Sequence, residues 1–219
     1  MQTVVLAKPG EVPESVRVAK MNDARKFSSI LYSPSVLFAG ITGSVSYVPR
    51  ENDDVDMFII SRENQLWRCM FRAYLARFLT RTREVCLSLN MDIGYAKSMF
   101  VSMEDPLAAS DSVHVIPVFG EEFYQMLLNS SGFISERYPE VVRKNSAPAY
   151  RKKAGPMELL LELGAFLILA PVVLMKAMVV NWKRGRSNSL MTYRIVLGRH
   201  CLYFDNMRYN AIREQYYRK

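Results

Sequence analysis

Apolar positions along this chain fall into short continuous runs alternating with helical stripes, the pattern of a mixed α/β protein. In Glu14–Tyr32, Val16, Ala19, Ala24, Phe27, Ile30 and Leu31 recur near helical spacing with charges between them, and Pro34 closes the segment. Val36–Thr42 (VLFAGIT) is an apolar run of strand length between Pro34 and Gly43, and Asp54–Ile60 (DVDMFII) is a second strand with a polar start. Arg62–Thr80 carries the clearest helical stripe: Leu66, Trp67, Met70, Phe71, Tyr74, Leu75, Phe78 and Leu79 share one side, which is expected to be core. Glu84–Met91 reads as a third strand, Ser112–Val118 as a short β-rich stretch containing His114, and Glu121–Asn129 as a helix.

Residues 1–13 read as an extended lead-in, and Tyr138–Gly155, with Pro139, Pro148 and Gly155, as a linker. Beyond it, Leu190–Leu197 and Cys201–Phe204 are short strands around Gly198, and Asn206–Lys219 is a basic, tyrosine-rich helical tail. The division predicted is therefore an α/β domain with a mixed (α+β) sheet at residues 14–140, followed by a mostly helical region at 141–219.

Met157–Trp182 is the most apolar segment, and its uninterrupted run is Leu163–Met175. A spanning helix needs about 20 apolar residues. Here Glu158 and Glu162 precede the run and Lys176 ends it, the last costing about 2.5–3.5 kcal/mol near a bilayer centre. Arg151, Lys152 and Lys153 on one side and Lys183, Arg184 and Arg186 on the other give no inside–outside bias. A helix buried in the core or in a subunit interface is expected, with Pro171 kinking or interrupting it. No stable membrane insertion is expected, and a homodimer through residues 157–182 is an open arrangement.

Composition sharpens this picture at two points. The 219 residues include only three cysteines, Cys69, Cys86 and Cys201, with no CxxC, which argues against a disulfide scaffold or zinc ribbon and for a reducing, cytoplasmic setting. The net charge of +8 is uneven: residues 1–140 hold 14 Lys and Arg against 17 Asp and Glu, whereas 141–219 hold 15 against 4. A basic second part facing a more acidic first part points to an anionic partner such as a nucleotide or RNA. Tyr203, Tyr209, Tyr216 and Tyr217 interleave with Arg208, Arg213, Arg218 and Lys219, a composition that serves a nucleic-acid surface or a packing helix equally well.

Candidate chemistry gathers around the first two strands. Side chains two apart on a strand share a face, so Asp54 and Asp56 present two carboxylates together while Asp53 points away. Such a pair persists best beside a divalent cation, and Mg²⁺ takes one or two carboxylates plus substrate phosphates. The Gly43-Ser44 turn is the complementary half: glycine admits a phosphate close to the backbone, and the following N–H groups and the serine hydroxyl donate to it. A short helix starting near Val45 would add a favourable field.

LFAGITGSVSYVPRENDDVDMFII, from Leu37 to Ile60, resembles the nucleotidyltransferase superfamily, whose signature is Gly-Ser, about ten residues, then Asp-x-Asp. CLSLN at Cys86–Asn90, Val113–Glu140, GPMELLLELG and LYFDNMR are similar to stand-alone archaeal and bacterial proteins with this domain. The resemblance implies a nucleotidyltransferase-like fold in which Asp54 and Asp56 hold one or two Mg²⁺ ions and Gly43 and Ser44 hold the phosphates of a nucleoside triphosphate such as ATP. An acceptor hydroxyl then attacks the α-phosphorus and pyrophosphate leaves. The family also places a third carboxylate on a later strand. Glu84 is the preferred candidate and Asp92 the alternative; without one, the protein would be a non-catalytic nucleotide- or RNA-binding module on the same fold. P-loop, dinucleotide-binding and zinc-protease motifs are absent from the sequence.

Overall fold

A computed structural model describes residues 14–47, 53–80, 82, 84–143, 148–150, 154–185 and 193–206. The element order is α1 (Glu14–Leu31), β1 (Val36–Thr42), α2 (Ser44–Tyr47), β2 (Val55–Ser61), α3 (Leu66–Thr80), β3 (Val85–Asp92), α4 (Ile93–Val101), α5 (Pro106–Val113), β4 (Ile116–Phe119), α6 (Glu121–Ser130), α7 (Gly132–Arg137), a short 3-10 turn, α8 (Pro156–Gly185), β5 (Tyr193–Leu197) and β6 (Cys201–Asn206). The six strands form one mixed sheet in the order β4-β1-β2-β3-β6-β5. β2 and β3 are parallel, and the other neighbouring pairs are antiparallel.

The near-continuous apolar character of β1 and β2 follows from burial on both faces. Ala39, Ile41, Met57, Ile59 and Leu87 turn to one side, where Phe27 of α1, Trp67 and Met70 of α3, and Leu169 and Val173 of α8 cover them. Phe38, Phe58, Ile60 and Met91 turn to the other side, under Phe100 of α4, Tyr124 and Leu127 of α6 and Ile134 of α7. Helices thus cover both faces of the sheet. Residues from the 141–219 stretch share this architecture: α8 packs on α3, and β6 pairs with β3 through Leu89↔Tyr203 and Met91↔Cys201.

Three readings of the sequence are corrected here. The stripe on α3 splits: Leu66, Trp67 and Met70 are buried with the small residues Cys69, Ala73 and Ala76, whereas Phe71, Leu75, Phe78 and Leu79 are exposed. Small side chains let α3 approach its neighbours closely, so the packed face is set by volume and not by hydrophobicity alone. Most of Ser112–Val118 is not strand, because Asp105 N-caps α5 and His114 ends it as an exposed C-cap. The long apolar helix is neither interrupted at Pro171 nor buried within the chain's own core: α8 runs through as one helix, and among its described side chains only Glu162, Leu169, Ala170, Val173 and Ala177 are buried. The predicted tail helix lies outside the described residues.

Candidate functional site

β1 runs antiparallel to β2, and β2 parallel to β3, so the end of β1 and the starts of β2 and β3 meet at one edge of the sheet. Gly43 and Ser44 follow β1 there, Asp54 and Asp56 open β2, and Glu84 precedes β3, its carbonyl accepting the Val55 N–H at 2.7 Å. The ladder pairs Thr42 with Asp56, which puts Gly43 against the aspartate. Gly43 sits at φ +72°, and a Cβ on it would stand 2.5 Å from Asp56 Oδ2. Only glycine permits this turn and this approach together. The turn leads into α2, where the Ser46 N–H and hydroxyl both donate to the Gly43 carbonyl, at 3.1 and 2.8 Å. Ser44 is left exposed.

Val55 and Met57 point into the core under α1 and α3, which turns Asp54 and Asp56 to the opposite face of β2. Asp54 is exposed and Asp56 mostly buried. Burial, followed by repulsion from Asp54, raises the Asp56 carboxyl to about 6, against hydrogen bonds from Cys86 and Ser88 that favour its charged form and with a smaller push from Asp53. A carboxylate held against desolvation and a like charge is one that a cation would relieve.

Register separates the two candidates for a third carboxylate. Asp56 pairs across the parallel ladder with Cys86, not with an acid. Glu84 lies at the same edge but is ion-paired with Lys20 of α1, a buried lysine with a largely exposed glutamate partner. Asp92 is six residues along β3 from Cys86, about 20 Å at strand rise. There it accepts from Tyr95 N at 2.9 Å and Asn64 N at 3.1 Å, and pairs with His200 at 2.6 Å. It therefore ties the far end of the sheet and takes no part in the Asp54–Asp56 edge. His200 is half-buried by this contact. Among the described residues, no group of three or more His, Cys, Asp and Glu side chains is arranged to hold a metal ion. The carboxylates at this edge are Asp54, Asp56 and the Lys20-paired Glu84, and the adjoining Cys86 thiol is a soft ligand poorly suited to Mg²⁺.

Several neighbours of this edge were not legible beforehand. Cys86 is pushed up to about 12, mainly by burial and then by Asp56 and Asp54, and feels the opposing fields of Arg77 and Lys176. Lys176 is held below its usual range by desolvation and by Arg77. The lysine that interrupts the apolar run of α8 is thus part of the electrostatic surroundings of the acidic edge. Tyr47, at the end of α2, donates to Asp111 at 2.7 Å and stacks on His114 at 4.5 Å, fastening the turn to α5. A fixed two-residue alternation counted from Asp56 and Val85 would have marked Cys86 as its neighbour; nothing local marks Lys20 or Lys176. Comparison with protein-family models, with curated proteins and with solved structures gives no match for this chain.

Proposed function

We propose that this chain is a nucleotidyltransferase-like protein that binds a nucleoside triphosphate with Mg²⁺ at the edge formed by Gly43, Ser44, Asp54 and Asp56. The observation that carries this reading is the contact of the Gly43 turn with Asp56, which makes a left-handed glycine turn and a partly buried carboxylate parts of one surface. Mg²⁺, when bound, supplies charge neutralisation for the phosphates and for the two aspartates. Asp54 and Asp56 hold the cation, and the Ser44 hydroxyl and the amides after Gly43 donate to phosphate oxygens. In nucleotide transfer, an acceptor hydroxyl bonds to the α-phosphorus, the bond to pyrophosphate breaks, and the hydroxyl proton leaves to solvent. RNA or another polyanion is the acceptor class that the basic 141–219 stretch favours.

A second reading, binding without turnover, is favoured by one observation: the residue paired with Asp56 on the neighbouring strand is Cys86, not a carboxylate. Calorimetric titration with ATP and Mg²⁺ tests both readings at their shared root. Wild type should bind, and an Asp54→Ala/Asp56→Ala variant should bind at least tenfold more weakly; equal affinity overturns the site. Release of pyrophosphate on addition of an RNA acceptor then separates transfer from binding alone.

A further inference from the structure

Helix α8 carries its charge on the wrong side for a water-facing helix. Glu162 is buried and accepts from the Trp67 and Arg68 N–H groups at 2.7 and 2.9 Å. Glu158 lies beside Arg68 and accepts from the Gly155 N–H, and Lys176 sits in the field of Arg77 and Cys86. Glu158 and Glu162 are thus engaged with the body of the protein, and Lys176, although exposed, stands about four turns from Glu162 and so on the same side of the helix. The outer face is left to Leu160, Leu163, Leu167, Ile168, Met175 and Met178, each between 51% and 68% exposed. This charge-free strip runs most of the length of a helix of 30 residues.

We infer that this face docks in the plane of an anionic lipid membrane. Charge decides the occupant. In sequence the strip is bracketed by Arg151, Lys152 and Lys153 before it and Lys183, Arg184 and Arg186 after it. A second copy packed on the strip, parallel or antiparallel, brings a basic bracket against a basic bracket at both ends. An anionic headgroup layer complements both brackets while the strip enters the acyl boundary. A spanning arrangement is disfavoured by the same residues. It would draw Glu158, Glu162 and Lys176 into hydrocarbon and strip Glu162 from the α3 amides it satisfies.

Flotation of the full-length chain with phosphatidylcholine vesicles, with and without phosphatidylglycerol, tests this. Wild type should float with the mixed vesicles, not with phosphatidylcholine alone, and should be released by high salt. Leu167→Asp/Met175→Asp alters only exposed positions, and circular dichroism verifies its fold. It should partition at least about tenfold more weakly, as should Lys152→Glu/Lys183→Glu, which leaves the apolar strip untouched. Three results overturn the proposal: equal partitioning to both vesicle types, retention through alkaline carbonate as for a spanning helix, or no lipid binding together with a dimer that Leu167→Asp/Met175→Asp dissociates.

Discussion

Asp56 and Cys86 face each other as Cα partners across the parallel β2–β3 ladder, a carboxyl raised to about 6 beside a thiol pushed up to about 12. Cys86→Asp adds a carboxylate where two already repel. It should lower the melting temperature in EDTA and recover most of the loss in Mg²⁺, because a cation offsets the added charge. Scanning fluorimetry in both conditions reads the difference. A Mg²⁺-induced rise no larger than that of wild type would remove the assignment of this edge to a cation.

The Asp56 carboxyl also sets a pH dependence. Its folded value near 6 lies above the unfolded value of about 3.9, so the folded state binds the extra proton between them. This contribution to stability is fully present below about pH 4 and is lost as pH rises through about 6. Asp56→Asn should therefore stabilise the protein at neutral pH by up to about 3 kcal/mol and leave it little changed at pH 4. Urea unfolding of both proteins across this interval gives the comparison, and a constant wild-type–variant difference would contradict it.

Gly43→Ala combines two penalties, a left-handed backbone angle and the approach of the new Cβ to Asp56 Oδ2. A loss of about 1–3 kcal/mol is expected. Since the struck atom is the tip of a side chain, Asp56→Ala should absorb part of that loss. Urea unfolding of wild type, both single variants and the double variant then yields a coupling energy of about 0.5 kcal/mol or more. Strict additivity would separate the turn from the carboxylate.

Much of this edge could be read from the chain because its signals are local. Gly43, Ser44, Asp54 and Asp56 lie within a few residues of two strands whose apolar runs and bounding turns are explicit. The partners of these residues could not be read in the same way. Glu84 precedes its strand and is drawn to Lys20, while Asp92 looks equivalent in sequence but emerges at the opposite end of β3. The distinction rests on strand direction, which side-chain patterning does not encode. Helix α8 shows a different limit: periodicity identified a helix, but Glu158, Glu162 and Lys176, which argued for a buried one, mark only its inner side.

Asp92→Ala should separate architecture from chemistry. It orphans the Asn64 and Tyr95 N–H groups and the His200 ring, so a loss of about 2–4 kcal/mol in chemical denaturation is expected. Affinity of the folded variant for ATP and Mg²⁺ should match wild type within about twofold, since Asp92 lies about 20 Å along β3 from Cys86. A large fall in affinity with unchanged stability would return Asp92 to the site.

Glu162 caps α3 from another helix, accepting the N–H groups of Trp67 and Arg68 while burial raises its carboxyl. Glu162→Ala leaves both donors buried without a partner and should lower stability by about 2–4 kcal/mol. Glu162→Gln keeps one acceptor oxygen and should lose less. Guanidinium unfolding of the two variants reports the order, and equal losses would show that packing, not the cap, joins α3 to α8.

The place of β6 in the sheet has a consequence for how the chain is made. β3 is central only because β6 lies beside it, and the Asn90 amide that donates to Leu202 does so across 112 residues of chain. Until that segment leaves the ribosome, β3 offers an open row of backbone donors and acceptors, a template for pairing with another chain. The exposed apolar strip of α8 emerges before the strand that closes this edge. Synthesis therefore passes through a stage with a sticky helix and an unpaired strand at once, and the β5–β6 hairpin ends it by closing the strand edge while the helix strip stays open.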